Sequence, residues 1–201
     1  QNEIEIGEIV STIEDYISYF NPVIKNCLIN LSEINSETLK ECDVIKSSDE
    51  LNYILLEIPY INGSEFLSFM SLLSNKQEIL FNLIETYQYL SQSLAILLEK
   101  EIVHFDLKSE NILYNTHTQQ PVIIDFGLSF SSKKLNNIID RVDNNDDNDD
   151  IKSSLKKIFY IYAPKYYIWP IEVHLINYVL HKASGELSEE DVITVVSSYM
   201  D

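Results

Sequence analysis

The rhythm of apolar and polar residues changes several times along this chain. Between residues 76 and 100, apolar side chains fall at Leu80, Leu83, Ile84, Tyr87, Leu90, Leu94, Leu97 and Leu98. Steps of three and four predict one long helix whose stripe faces a core. A second helix is expected over 3–20, where Ile4, Ile6, Ile9, Val10, Ile13, Tyr16, Ile17 and Phe20 keep a rougher period and Asn21-Pro22 ends it. β-prone pieces at 23–31 and 53–58 follow, joined by a polar stretch, 36–50, that reads as a loop or hairpin connection. Ile61-Asn62-Gly63-Ser64 is turn chemistry, with Ser64 placed to cap a short helix from Glu65. After residue 100 the helical period stops. Ile102-Val103, 112–114 and 122–124 are short β-prone runs divided by polar residues, the pattern of a site built from loops on a rigid base.

Residues 143–150 (DNNDDNDD) are low-complexity and read as a solvated insert. They lack the glycine and closing glutamate of a calcium loop. Residues 159–180 are strongly aromatic and are expected to be buried, ending in a helix from about Ile171. A last helix starts near Ser188, its first turn suited by Glu189, Glu190 and Asp191.

Charge narrows the partners. Lys and Arg number 14 against 32 Asp and Glu, a net −18, so most of the surface repels nucleic acid and anionic lipid and favours basic partners. No apolar run has the length to cross a bilayer, and the opening residues carry no signal-peptide pattern. The expectation is a soluble, intracellular, cytoplasmic protein that binds neither nucleic acid nor membrane. Cys27 and Cys42, the only cysteines, are expected to be buried thiols.

The chemistry concentrates in Ile102-Val103-His104-Phe105-Asp106-Leu107-Lys108-Ser109-Glu110-Asn111, followed by Ile123-Ile124-Asp125-Phe126-Gly127. Phosphoryl transfer needs a carboxylate to orient and deprotonate a hydroxyl, a cation on the moving phosphoryl group, and oxygen ligands for a divalent ion. Asp106 and Lys108, two apart on an extended loop, face one cleft. Asn111 and Asp125 lie at the ends of adjacent short strands, which brings two hard oxygen ligands together.

This spacing resembles the protein-kinase catalytic loop H-R-D-L-K-x-x-N with its D-F-G. Eight specified positions at fixed offsets arise by chance in a chain this long well below roughly once in a million. The resemblance implies an α+β, bilobal kinase-like fold: a reduced, β-containing partial small lobe over 1–60 and a mostly helical, shortened large lobe over 61–201. It implies an ATP-dependent kinase acting on Ser/Thr of protein substrates with Mg²⁺ or Mn²⁺. Asp106 is then the catalytic base and Lys108 the γ-phosphate contact, Asn111 and Asp125 the metal ligands. His104 and Phe126 pack behind the site. Ile58 becomes the gatekeeper, Pro59, Tyr60, Ile61 and Asn62 the adenine-binding hinge, Glu65 a ribose contact and Leu113 the floor under the base. Tyr162-Ala163-Pro164-Lys165 resembles a worn Ala-Pro-Glu, and Glu172 stands for the buried acid opening the central helix. The helix at 3–20 resembles the small-lobe αC helix, with Glu14 as its acid.

Four departures qualify the resemblance. The four glycines, Gly7, Gly63, Gly127 and Gly185, cannot form a G-x-G-x-x-G phosphate loop, and the first lysine is Lys25, too late for the small-lobe lysine. A chain that opens directly on the αC-like helix favours further strands ahead of Gln1. Phe105 replaces the arginine that meets a phosphorylated activation loop, which implies control by another route or none. Little chain follows Leu180. So divergent a chain resembles kinases of large DNA viruses and protists. The alternatives are a pseudokinase scaffold and a small-molecule phosphotransferase. Lys108 and the intact Asp-Phe-Gly weigh against the latter.

Overall fold

The computed structural model describes residues 2–33, 52–143, 148–182 and 188–200. Helix α1 (Asn2–Val10) and the single turn α2 (Tyr16–Tyr19) lead into β1 (Phe20–Asn21). An antiparallel ribbon of β2 (Lys25–Asn30) and β3 (Asn52–Glu57) follows, with Cys27 opposite Leu55. Next come β4 (Gly63–Glu65), α3 (Phe66–Ser71) and the long α4 (Lys76–Glu99). The site region holds β5 (Ile102–Val103), β6 (Ile112–Asn115), β7 (Gln120–Ile124) and β8 (Phe130–Ser131). Helices α5 (Ser132–Asp143), α6 (Asn148–Ile158), α7 (Ile171–His181) and α8 (Glu189–Met200) complete the described chain. A four-stranded sheet in the order β1-β7-β6-β4 forms its base, with β1 parallel to β7 and the other pairs antiparallel. Helices and a mixed sheet in this order give the expected α+β class.

The helix expected over 3–20 is broken in the middle. Ser11 Oγ and Thr12 Oγ1 donate to the carbonyls of Gly7 and Ile9, each at 2.7 Å, and so share with the backbone amides the carbonyls that end α1. Asp15 then turns the chain with φ 53°, and Glu14 sits exposed in that turn. Ser64 does not cap a helix. It lies in β4 opposite Tyr114, and α3 starts after Glu65 without a side-chain cap.

Helix α4 holds its expected bounds. Asn75 Oδ1 accepts from Gln77 N at 2.9 Å at its N-terminus, and Glu78 complements the dipole. Its buried face differs from the expected stripe. Thr86, Ser93 and Leu97 are buried with Leu90 half-buried, whereas Leu80, Leu83, Ile84, Tyr87, Leu94 and Leu98 are exposed. The packed seam therefore mixes the small polar Thr86 and Ser93 with Leu90, Ile96 and Leu97. Tyr89 hydroxyl donates to Ser18 O at 2.7 Å and ties α4 to α2. Burial pushes this phenol up to about 12.

The main core joins Ile6 and Val10 of α1, Ile13, Phe20, Leu97, Ile102, Ile123 and Phe126. A second cluster gathers Phe130, Ile138, Ile158, Phe159 and Leu180 around Phe105. The aromatic run 159–180 is therefore only partly buried, since Tyr160 and Tyr167 are exposed. Cys27 is exposed on β2, not buried, because nothing among the described residues covers that strand face. Cys42 and the 36–50 connection lie outside the described residues. The acidic run 143–150 is not wholly irregular: Asp143 ends α5, and Asn148 begins α6.

Gly7 marks the tightest contact of α1. A Cβ there would collide with the Val23 carbonyl oxygen. Gly7→Ala is therefore expected to lower stability by about 1–3 kcal/mol through overpacking, instead of the ~1 kcal/mol gain that helix propensity alone would give. Urea unfolding of the two proteins measures the sign.

Candidate functional site

The β6–β7 hairpin sets the geometry. Its register pairs Ile112 with Ile123, so Asn111, just before β6, and Asp125, just after β7, reach the same open end. Residues 104–108 pass beside that end, between β5 and the tight turn Ser109–Asn111. Phe105 and Asp125 both take left-handed backbone, φ 65° and 62°. For side chains with a Cβ this is sparsely populated and needs surrounding support.

Phe105 has that support. Trp169 Nε1 donates to its carbonyl at 2.9 Å, and its ring stacks on Trp169 at 5.0 Å, with Phe130 and Phe159 edge-on at 5.2 and 5.7 Å. Asp125 Oδ1 accepts from Gly127 N at 3.2 Å, fixing its turn. Phe126 is buried against Phe20 and His104, at 6.2 and 5.0 Å. His104 itself is buried, with Nε2 3.0 Å from Ile124 O and Nδ1 accepting from Asp106 N at 3.3 Å. A neutral ring protonated on Nε2 satisfies both bonds. Burial holds its pKa below the ordinary histidine value, outweighing the Ile124 carbonyl and the charges of Asp106 and Asp125.

Asp106 is the centre. It is 5% exposed. Oδ2 accepts from Lys108 Nζ at 3.1 Å and Asn111 Nδ2 at 3.0 Å, and Asn111 Nδ2 also donates to the Asp106 carbonyl at 2.9 Å. Oδ1 accepts from the hydroxyl of Tyr166, which also receives a bond from Lys108 at 3.0 Å. That bond, ahead of the Asp106 carboxylate, raises the Lys108 pKa above its ordinary range and keeps the ammonium charged. Burial, then the bond to Asp106, raises that of Tyr166, which stays a phenol.

The expected catalytic residues are thus brought together. Tyr166 joins them unforeseen, from a stretch whose tyrosines read only as core. The Asn111 amide nitrogen is spent on Asp106, which leaves its oxygen as the atom open to a cation at the hairpin end that Asp125 shares. Two oxygen donors fit a magnesium ion that takes its other ligands from phosphates and water. Among the described residues no group of three or more acid, histidine or cysteine side chains forms a fuller cage.

Of the residues expected to meet a nucleotide, Glu65 and Leu113 are direct cross-strand partners in β4 and β6. Ile58, Pro59, Tyr60 and Ile61 form the extended link between β3 and β4, with Ile58 and Tyr60 exposed. Asn62 ends this link, its carbonyl accepting from Thr116 N at 3.0 Å and Thr116 Oγ1 at 2.8 Å. Two placements differ from expectation. The α1 acid nearest the Asp-Phe-Gly is Glu3, not Glu14. It shares a cavity of about 360 Å³ with Asn2, Gly127 and Tyr160, and burial followed by the Asp125 charge raises its pKa. The helical spacing of Glu3 from buried Ile6 and Val10 is the sequence signal for it. Glu172 is exposed in the first turn of α7, while His174 and Asn177 take the buried positions.

A family model described as "Protein kinase domain" matches residues 27–145. "Probable serine/threonine-protein kinase fnkB" of Dictyostelium discoideum is 32% identical over 102 residues, 51% of this chain and 18% of that protein. "Probable serine/threonine-protein kinase pXi" of the same organism is 31% identical over 107 residues, 47% of this chain and 15% of that protein. The chain spans less than a fifth of either relative.

Because folding lowers the pKa of His104, the unfolded chain binds the extra proton first. Its contribution is present above pH ~6.5 and is lost as pH falls below it toward the folded value. Urea unfolding at pH 7.5 and 5.5 is expected to show this loss, and His104→Gln to flatten it.

Proposed function

The chain belongs to the protein kinase domain family, and on that footing we propose that it transfers the γ-phosphate of ATP to serine or threonine hydroxyls of protein substrates. One observation carries the reading: Asp106, Lys108 and Asn111 form a single hydrogen-bonded cluster at the open end of the β6–β7 hairpin. Asp106 orients the acceptor hydroxyl and takes its proton. Lys108, one bond away, steadies charge on the moving phosphoryl group. Asn111 Oδ1 and Asp125 would hold Mg²⁺ or Mn²⁺, which when bound neutralises phosphate charge. Leu113 and Glu65, side by side, would take the nucleoside end, with Ile58 and residues 59–61 as the adenine edge. The −18 net charge suits a basic protein substrate. An intracellular site of action is part of the same proposal.

A second reading, a scaffold without phosphotransfer, draws on the lack of any G-x-G-x-x-G in these 201 residues. Ligand-linked stability separates the two. Under the kinase reading, ATP with Mg²⁺ at about one hundred times Kd raises Tm by roughly 5–10 °C, and Asp125→Ala removes the shift. No shift in the unaltered chain favours the scaffold. Asp106→Asn is expected to keep the shift and to lower phosphate transfer to a basic protein by roughly 10²–10⁴-fold, read with radiolabelled ATP.

A further inference from the structure

The phenol of Tyr166 stands where an acceptor hydroxyl has to stand. Its O–H donates to Asp106 Oδ1, and its oxygen accepts from Lys108 Nζ at 3.0 Å. One hydroxyl therefore meets both the carboxylate that would take its proton and the cation that would sit on the phosphoryl group. The other carboxylate oxygen is engaged by Lys108 and Asn111, at 3.1 and 3.0 Å. Among the described residues, Tyr166 supplies the hydroxyl bonded to this carboxylate.

The placement is clamped. Tyr166 N bonds Ala163 O at 3.1 Å, Trp169 N bonds Tyr166 O at 3.3 Å, and the Tyr166 ring meets Trp169 edge-on at 4.9 Å. The same indole is tied to the Phe105 carbonyl, next to Asp106 in the chain. The hydroxyl is delivered by a turn fastened to the catalytic loop itself, the condition under which an intramolecular reaction outpaces a bimolecular one.

We propose that Tyr166 is an intramolecular phosphoryl acceptor, so that the chain modifies its own Tyr166. This rests on the kinase reading above and adds a phenol to the hydroxyls it would accept. In the step, the phenolic oxygen bonds the γ-phosphorus of ATP as the bond from that phosphorus to the β–γ bridging oxygen breaks. The phenolic proton passes to Asp106, and ADP is the leaving group, taking the electron pair of the broken bond. The product sets nearly two negative charges beside the Asp106 carboxylate. Their repulsion drives the tyrosine off that carboxylate and frees it for an outside hydroxyl.

Phosphatase-treated full chain, incubated with ATP and Mg²⁺ and mapped by tandem mass spectrometry, tests this. Phosphate is expected on Tyr166, with a first-order rate constant unchanged on about tenfold dilution of the protein. Asp106→Asn is expected to slow it by roughly 10²–10⁴-fold. Tyr166→Phe, shown to be folded by its melting curve, should lose that phosphopeptide. Phosphate on an added basic protein, or on other hydroxyls of the chain, with Tyr166 unmodified, overturns the Tyr166 assignment and leaves the kinase reading standing. A rate that falls with dilution overturns the intramolecular route. No phosphate on any acceptor overturns both.

Discussion

A carboxylate taken out of water is costly unless its oxygens are fully engaged, and Asp106 meets that demand with donors from three separate places. Lys108 comes from its own loop, Asn111 from the turn that opens β6, and Tyr166 from sixty residues downstream. Each of these has to be positioned by something larger. The β6–β7 hairpin fixes Asn111, the left-handed corner at Phe105 aims Asp106 and Lys108, and the Trp169 anchor brings Tyr166 back to them. The fold around the site can be read as the set of constraints that keeps this one group satisfied.

Behind the carboxylate lies a second, neutral layer. His104 spans from the Ile124 carbonyl to the Asp106 amide, so it couples the end of β7 to the loop at 104–108. Phe126 fills the space beside it and reaches Phe20, whose strand runs parallel to β7. Ile6 and Val10 of α1 close the same core. The helix at the chain's start and the Asp-Phe-Gly thus share one packed volume, and neither can shift without repacking the other.

Much of this was legible in the sequence where the determinants are local. The bounds of α4, the short strands around the site and the helices at 171 and 189 follow from periodicity and turn residues. The clustering of Asp106, Lys108 and Asn111 follows from motif spacing. What escaped depends on competition or on distance. Ser11 and Thr12 compete with the backbone for the carbonyls of α1, a local effect that hydropathy does not register. The seam of α4 passes through Thr86 and Ser93 as well as Leu97, and hydropathy alone does not mark the two small polar positions as buried. Tyr166 reaches Asp106 only through the tertiary path of Trp169, and no spacing rule encodes that path. Phe105 read as the loss of an arginine, whereas the structure shows a ring with three aromatic neighbours.

That ring changes what kind of latch joins the loop at 104–108 to the segment beyond it. An arginine held by a phosphate is an ionic clasp, loosened by salt and removable by a phosphatase. The stack of Phe105 on Trp169, walled by Phe130 and Phe159, owes nothing to charge. High ionic strength leaves such a joint intact or tightens it, and cooling weakens it as apolar burial loses force. The loop at 104–108 is therefore held by a fastening that answers to temperature rather than to the ionic composition of its surroundings.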